Sequence, residues 1–170
     1  MKKLLIFTTC LFLVATVSHA QRYAVIDSKY ILDKLPEYKE AQKTLDQFSE
    51  QWQQEIDQKQ ALMDKMFKDY DAERVMLTEV LQKKREDELY NKEKELRDLQ
   101  KKRFGFEGDL FKKRQELIKP IQDRVYNAVQ KLAVDKQYDF ILDKSEGITV
   151  IFADPKLDKS ADVIRNLGVK

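Results

Sequence analysis

Along most of this chain apolar side chains return every three or four residues, the spacing that lines one face of a helix. From Pro36 the series runs Ala41, Leu45, Phe48, Trp52, Ile56, Met63, Met66 and Tyr70, with one polar gap around Lys59. It falters across "DYDAERVMLTEV" and resumes at Leu81, Leu89, Leu96, Leu99, Phe106, Leu110, Leu117, Ile121, Val125, Val129 and Leu132. Lys, Arg, Glu and Asp saturate the positions between. The pattern predicts two long helices with heptad-like seams, folded back on each other at a turn within 69–78. Pro36 with Glu37 supplies a helix start, and Thr78 with Glu79 supplies a second. Pro120 in "LIKPIQ" has no amide hydrogen to donate, so the return helix should bend or restart there.

The ends of the chain change period. "RYAVID", "YDFILD" and "ITVIFAD" are rich in β-branched and aromatic residues and read as short strands, the last two separated by "KSEG", a hairpin-like turn at Gly147. A short helix should follow from Asp158 or Ser160 through Ile164 and Leu167 to Gly168. Three such strands bury too little apolar surface to stand alone, so the core should be completed by oligomerisation. Val25, Ile26, Phe140, Ile141, Val150 and Ile151 are the expected core and subunit contacts. Because one strand precedes the helices and two follow, the helices must leave a common β-body and return to it. The expected class is therefore α+β, with a β-body from residues 21–35 and 120–170 and a helical hairpin arm from 36–119.

Residues 1–20 stand apart from this. Lys2 and Lys3 precede a 14-residue apolar run from Leu4 to Val17, and Ser18 and Ala20 occupy small-residue cleavage positions. This reads as a secretory signal peptide cut before Gln21. The run is shorter than the ~20 residues that span a bilayer. Cys10 is preceded by "FTT" rather than a lipoprotein pattern. Cleavage would remove the only cysteine, Cys10, and the only histidine, His19. The remaining chain would lack a thiol nucleophile, a Ser-His-Asp arrangement, an imidazole base and a Cys/His zinc site. It also has no P-loop and no GxGxxG. No catalytic residue, metal site or cofactor is expected, and the reading is of a protein that is not an enzyme.

"YAVIDSKYILDKLPEYKEAQKTL" at the front and "IQDRVYNAVQKLAVDKQYDFILDKSEGITVIFADPKLDKSADVIRNLG" at the back resemble the Skp/OmpH family of periplasmic chaperones, with a charged helical middle of matching length. The resemblance implies a homotrimer in which three chains complete the β-body and three hairpins surround a cavity. It implies that unfolded outer-membrane β-barrel proteins are held there without ATP, in the periplasm. A structural coiled-coil spacer or adaptor of the cell envelope is the alternative.

Charge bears on the partners. Without Lys2 and Lys3 the chain has 30 basic against 30 acidic residues, so net charge supports neither nucleic acid nor peripheral membrane or lipopolysaccharide contact. The charge is nevertheless segregated: Glu37–Glu79 holds 11 acidic and 6 basic residues, and Lys83–Lys119 holds 13 basic and 9 acidic, a pattern suited to antiparallel legs. Near the turn, Met63, Met66, Phe67, Tyr70, Met76 and Leu77 are candidates for client contact, since methionine adapts to varied apolar partners. Met63, Met66 and Tyr70 also fit the seam, which leaves Phe67 and Met76 as the better candidates for exposure. Gly105 and Gly108 in "RFGFEGDLF" sit within a helical pattern, where each costs about 1 kcal/mol against alanine. With the turn near residue 75, Gly105 would face Leu45 and Gly108 would face Gln42, as a close-packing contact of the two helices or a hinge.

Overall fold

A computed structural model describes residues 21–145, 147 and 150–169 of the 170-residue chain. The expected signal peptide, with Cys10 and His19, lies outside them, as do Glu146, Ile148 and Thr149 of the expected hairpin turn and third strand. The chain divides into two compact units, one from residues 1–31 with 125–170 and the other from residues 32–124.

In the first unit β1 (Tyr23–Ile26) pairs with β2 (Phe140–Asp143) in parallel, Tyr23 opposite Phe140 and Ile26 opposite Asp143. Parallel neighbours need a long crossover, and the intervening helices supply it. Ala24, Val25 and Ile26 are buried, together with Val125, Ala128, Leu132 and Val163. The Lys159 amide donates to the Val25 carbonyl at 2.8 Å and closes the far edge of β1. Two carboxylates pin the strand ends. Asp27 accepts from the Tyr30 amide at 2.8 Å, capping α1 (Ser28–Lys34). Asp143 accepts from the amides of Ser28 at 3.1 Å and Ser145 at 3.0 Å and from the Ser145 hydroxyl at 2.8 Å.

The expected third strand does not form among the described residues, for 150–154 have no strand partner. Ile151 is 94% exposed rather than core, Phe140 is also exposed, and Ile141 and Val150 are half-buried. A β-branched run becomes a strand only where it pairs with an edge, and among the described residues 150–154 pair with none.

The second unit is built on α2 (Pro36–Glu73), 38 residues that rise about 57 Å at 1.5 Å each. A 3₁₀ turn at Arg74–Met76 reverses the chain into α3 (Glu79–Phe104). Thr78 stands at the N-cap and its carbonyl accepts from Leu81 and Gln82, although its hydroxyl makes no capping bond. Ile56 and Met63 pack with Leu89 and Leu96, and Met66, Tyr70 and Leu99 flank this core. Two ion pairs join the legs, Glu55–Arg103 at 3.1 Å and Glu37–Arg124 at 2.7 Å, each with its acid on α2. Lys92–Glu95 and Arg97–Glu93 are exposed local pairs within α3, which solvent screens and which add little to stability.

The return leg is not continuous. It breaks at Gly105–Gly108, continues as α4 (Asp109–Leu117) and restarts after Ile118 as α5 (Lys119–Lys136). Pro120 lies in the first turn of α5, where an amide would have no intrahelical acceptor. Phe106, expected on the seam, is instead 96% exposed in the break. The last described helix is α6 (Ser160–Asn166), whose Ser160 hydroxyl accepts from the Asp27 amide at 2.9 Å.

Candidate functional site

The hairpin turn carries a cluster of uncovered apolar side chains. Val75 is 92% and Met76 82% exposed, and Val80, Leu81 and Phe67 are exposed beside them. Leu77 is half-buried. The backbone beneath is held by Gln82, whose Nε2 donates to the carbonyls of Arg74 at 2.8 Å and Leu77 at 3.1 Å. One turn back, the Tyr70 hydroxyl donates to Glu86 Oε1 at 2.5 Å, tying α2 to α3. That bond, with desolvation and the nearby Glu86 charge, raises the Tyr70 pKa above the ordinary phenol value. An open groove of about 750 Å³ runs from Leu77 and Leu81 along α3 past Lys84, Arg85 and Glu88 to Lys92. A surface that is apolar at its end and charged along its sides can hold extended chains weakly, without a fixed orientation.

The six candidate contact residues separate. Met63 is buried at 4% exposure, and Met66 and Tyr70 pack against the same core, so Met63 cannot meet a client in this structure. Phe67 and Met76 are open to solvent. Val75 and Val80 escaped the sequence reading, and Leu81 was read as seam; the signal for the two valines was their place in the interrupted stretch, where an apolar residue has no seam to join.

The glycine pair forms a second locus. Gly105 ends α3, its amide donating to the Lys101 carbonyl at 2.8 Å, and Gly108 caps α4, its carbonyl accepting from Lys112 at 3.0 Å. Glu107 between them has φ 56, a left-handed turn. A Cβ on Gly105 would lie 2.3 Å from the Lys101 carbonyl oxygen, and one on Gly108 would lie 2.8 Å from that of Lys102. The glycines thus serve close approach to their own chain's carbonyls, not the packing of two helices that three-residue spacing suggested.

The register is displaced as well. Arg103 bonds Glu55, and its guanidinium lies 4.9 Å from the centre of the Trp52 ring, so Gly105 lies near Trp52 rather than Leu45. The turn centres later than residue 75, and each residue of shift moves the facing position by two. Arg103 also bonds Asp109 at 2.7 Å, bridging the break from α3 to α4. Burial opposes its charge, but the two carboxylates more than offset that and raise its pKa. Trp52 packs on Phe48 at 5.5 Å, and Lys113 lies 5.3 Å over Phe48, completing a brace around the break.

A family model described as outer membrane protein, OmpH-like, matches residues 22–167, nearly all of the described chain. This chain belongs to the OmpH-like family. The fold agrees: a solved structure of a candidate outer membrane chaperone, OmpH-like, from Caulobacter crescentus superposes with a TM-score of 0.67 at 15% identity. The match covers 87% of this chain and 84% of that one. No curated relative matches the chain. Long helices with a small strand pair are therefore the OmpH-like α+β fold.

Proposed function

We propose that this OmpH-like chain is an ATP-independent periplasmic holdase that binds unfolded outer-membrane β-barrel proteins between helical arms. The observation that carries the reading is the open apolar turn of the hairpin, with Val75, Met76 and Val80 uncovered on a backbone that Gln82 holds in place. A scaffold with rigid legs and a soft apolar end suits reversible, multivalent contact rather than catalysis. Phe67 and Met76 make the first contacts, and Leu77 joins them from the groove.

The working form is a homotrimer. Ile151 and Phe152 are exposed in the first unit, Tyr23 and Phe140 stack at 5.7 Å with both rings partly open, and β2 has no partner on its outer edge among the described residues. A second and third copy would cover these side chains. Export depends on the residues before Gln21. No cofactor enters the cycle.

Sizing coupled to light scattering tests this. Mixed with a urea-diluted barrel protein, the chain should elute as a soluble complex of three copies with one client. Elution of three copies alone, with the client lost to aggregate, would support an envelope spacer or adaptor instead. Elution as single chains would end the trimer and the cavity together.

A further inference from the structure

We infer that the break at Gly105–Gly108 is a second binding locus, which takes acidic, aromatic-bearing stretches of unfolded polypeptide. The proposal deepens the holdase reading and rests on it for the source of the polypeptide. Phe106 is 96% exposed, more than any other large apolar residue of the hairpin, and Phe104 and Phe111 on either side of it are also exposed. A phenylalanine left open on an ordinary loop would carry little meaning. This one is held out by a left-handed residue at Glu107 and by two glycines whose positions admit no Cβ. Beneath it Arg103 is fastened to Glu55, Asp109 and the Trp52 ring, so the loop is presented on a stiff support. A rigid aromatic on a supported loop loses little freedom on binding, which favours affinity.

Charge selects the partner. The chain as a whole is nearly neutral, yet Lys101–Arg114 holds six basic residues against two acidic ones. Among the described residues, Lys101, Lys102, Lys112 and Arg114 are exposed and have no ion-pair partner. Basic side chains around an open phenyl ring complement a segment that alternates carboxylates with aromatic residues, and cation–π contacts add to the attraction. An anionic membrane is less suitable. The basic excess is confined to this one stretch of a chain that is otherwise nearly neutral, which suits a polypeptide segment better than a broad lipid plane.

The test is fluorescence anisotropy of the intact trimer with a labelled, unstructured 20-residue peptide bearing phenylalanine and aspartate, beside a neutral peptide with the same phenylalanines. Phe106→Ala should weaken the acidic peptide about tenfold, as expected for a central aromatic contact. Lys102→Gln with Lys112→Gln should weaken it comparably and flatten its salt dependence, with melting unchanged. Equal binding by wild type and Phe106→Ala, or by the acidic and neutral peptides, would overturn the proposal. So would a Phe106→Ala variant that changes the number of copies, since the loop would then be a self-contact. Binding to phosphatidylglycerol vesicles that depends on Phe106, without peptide binding, would assign the locus to lipid and overturn it too. Failure of the wild type to hold a barrel protein, with peptide binding intact, would end the holdase reading alone. Full holding by Phe106→Ala with weakened peptide binding would confirm the locus as auxiliary.

Discussion

Alanine at Gly105 distinguishes the structural account of the glycine pair from the sequence pattern. If Gly105 lay inside a helix, alanine would stabilise the protein by about 1 kcal/mol. In the structure it ends α3 with φ −68 and ψ 172, angles that any residue adopts, so the obstacle is contact and not conformation. The added methyl would be 2.3 Å from the Lys101 carbonyl oxygen and 3.1 Å from its carbon. A normal carbon–oxygen contact needs roughly 1 Å more, near the 3.3–3.6 Å of weak C–H···O contacts. The helix end must therefore shift, and the 2.8 Å bond from the Gly105 amide to that carbonyl shifts with it. Forced displacement of packed backbone costs about 1–3 kcal/mol, so the sign reverses and the hairpin loses stability. Thermal melting by circular dichroism, with the emission of Trp52 as a local reporter, should show a midpoint lower by roughly 2–8 °C for each kcal/mol lost. An alanine variant that melts at or above the wild-type temperature would refute the reasoning.

Met63→Ala should destabilise the hairpin by about 2–5 kcal/mol in urea unfolding, since it empties a buried site. Phe67→Ser with Met76→Ser should stay within about 0.5 kcal/mol of wild type in the same titration and instead weaken client binding. Arg103→Gln removes two carboxylate contacts and the Trp52 stacking; a loss of about 1 kcal/mol and an altered Trp52 emission are expected, both smaller in high salt. In the first unit, burial acts to raise the Asp143 pKa, but bonds from Ser28 and Ser145 outweigh it and hold the carboxyl below its ordinary value. Asp158 behaves likewise, with Lys144 and Ser160 outweighing burial. Carboxyls lowered in the folded state stabilise it above their unfolded pKa of about 3.9, and that stability is lost as pH falls through the folded values. Urea midpoints measured from pH 7 to pH 2 should drop below about pH 4, less steeply in Asp143→Ala, which is itself weaker by about 1–3 kcal/mol at pH 7.

Much of the hairpin was legible because helical periodicity is local: Leu45, Ile56, Met63, Leu89 and Leu96 repeat at the right spacing and are buried. The break at Gly105 was not. Leu99, Phe106 and Leu110 kept the period, and nothing in that spacing reveals that Arg103 would find Asp109 across a turn. Ile151 misled for a different reason: β propensity describes a residue that fits a paired, half-buried surface, and among the described residues this one is unpaired and exposed. Toward the hairpin turn, seam spacing separated Met63 from Met76 in advance, and the 3₁₀ turn at Arg74–Met76 is what leaves Met76 open. Val75 and Val80 were passed over because the sequence pattern rewards periodic apolar residues, whereas a binding surface uses those left out of it.

Light scattering of a urea-diluted outer-membrane barrel protein, with and without the purified chain at one trimer per client and no nucleotide, tests the central claim most directly. The account predicts that scattering stays at baseline, and that Phe67→Ser with Met76→Ser raises it while the hairpin remains folded. Aggregation at the same rate with and without the wild-type chain, for several barrel proteins, would contradict it.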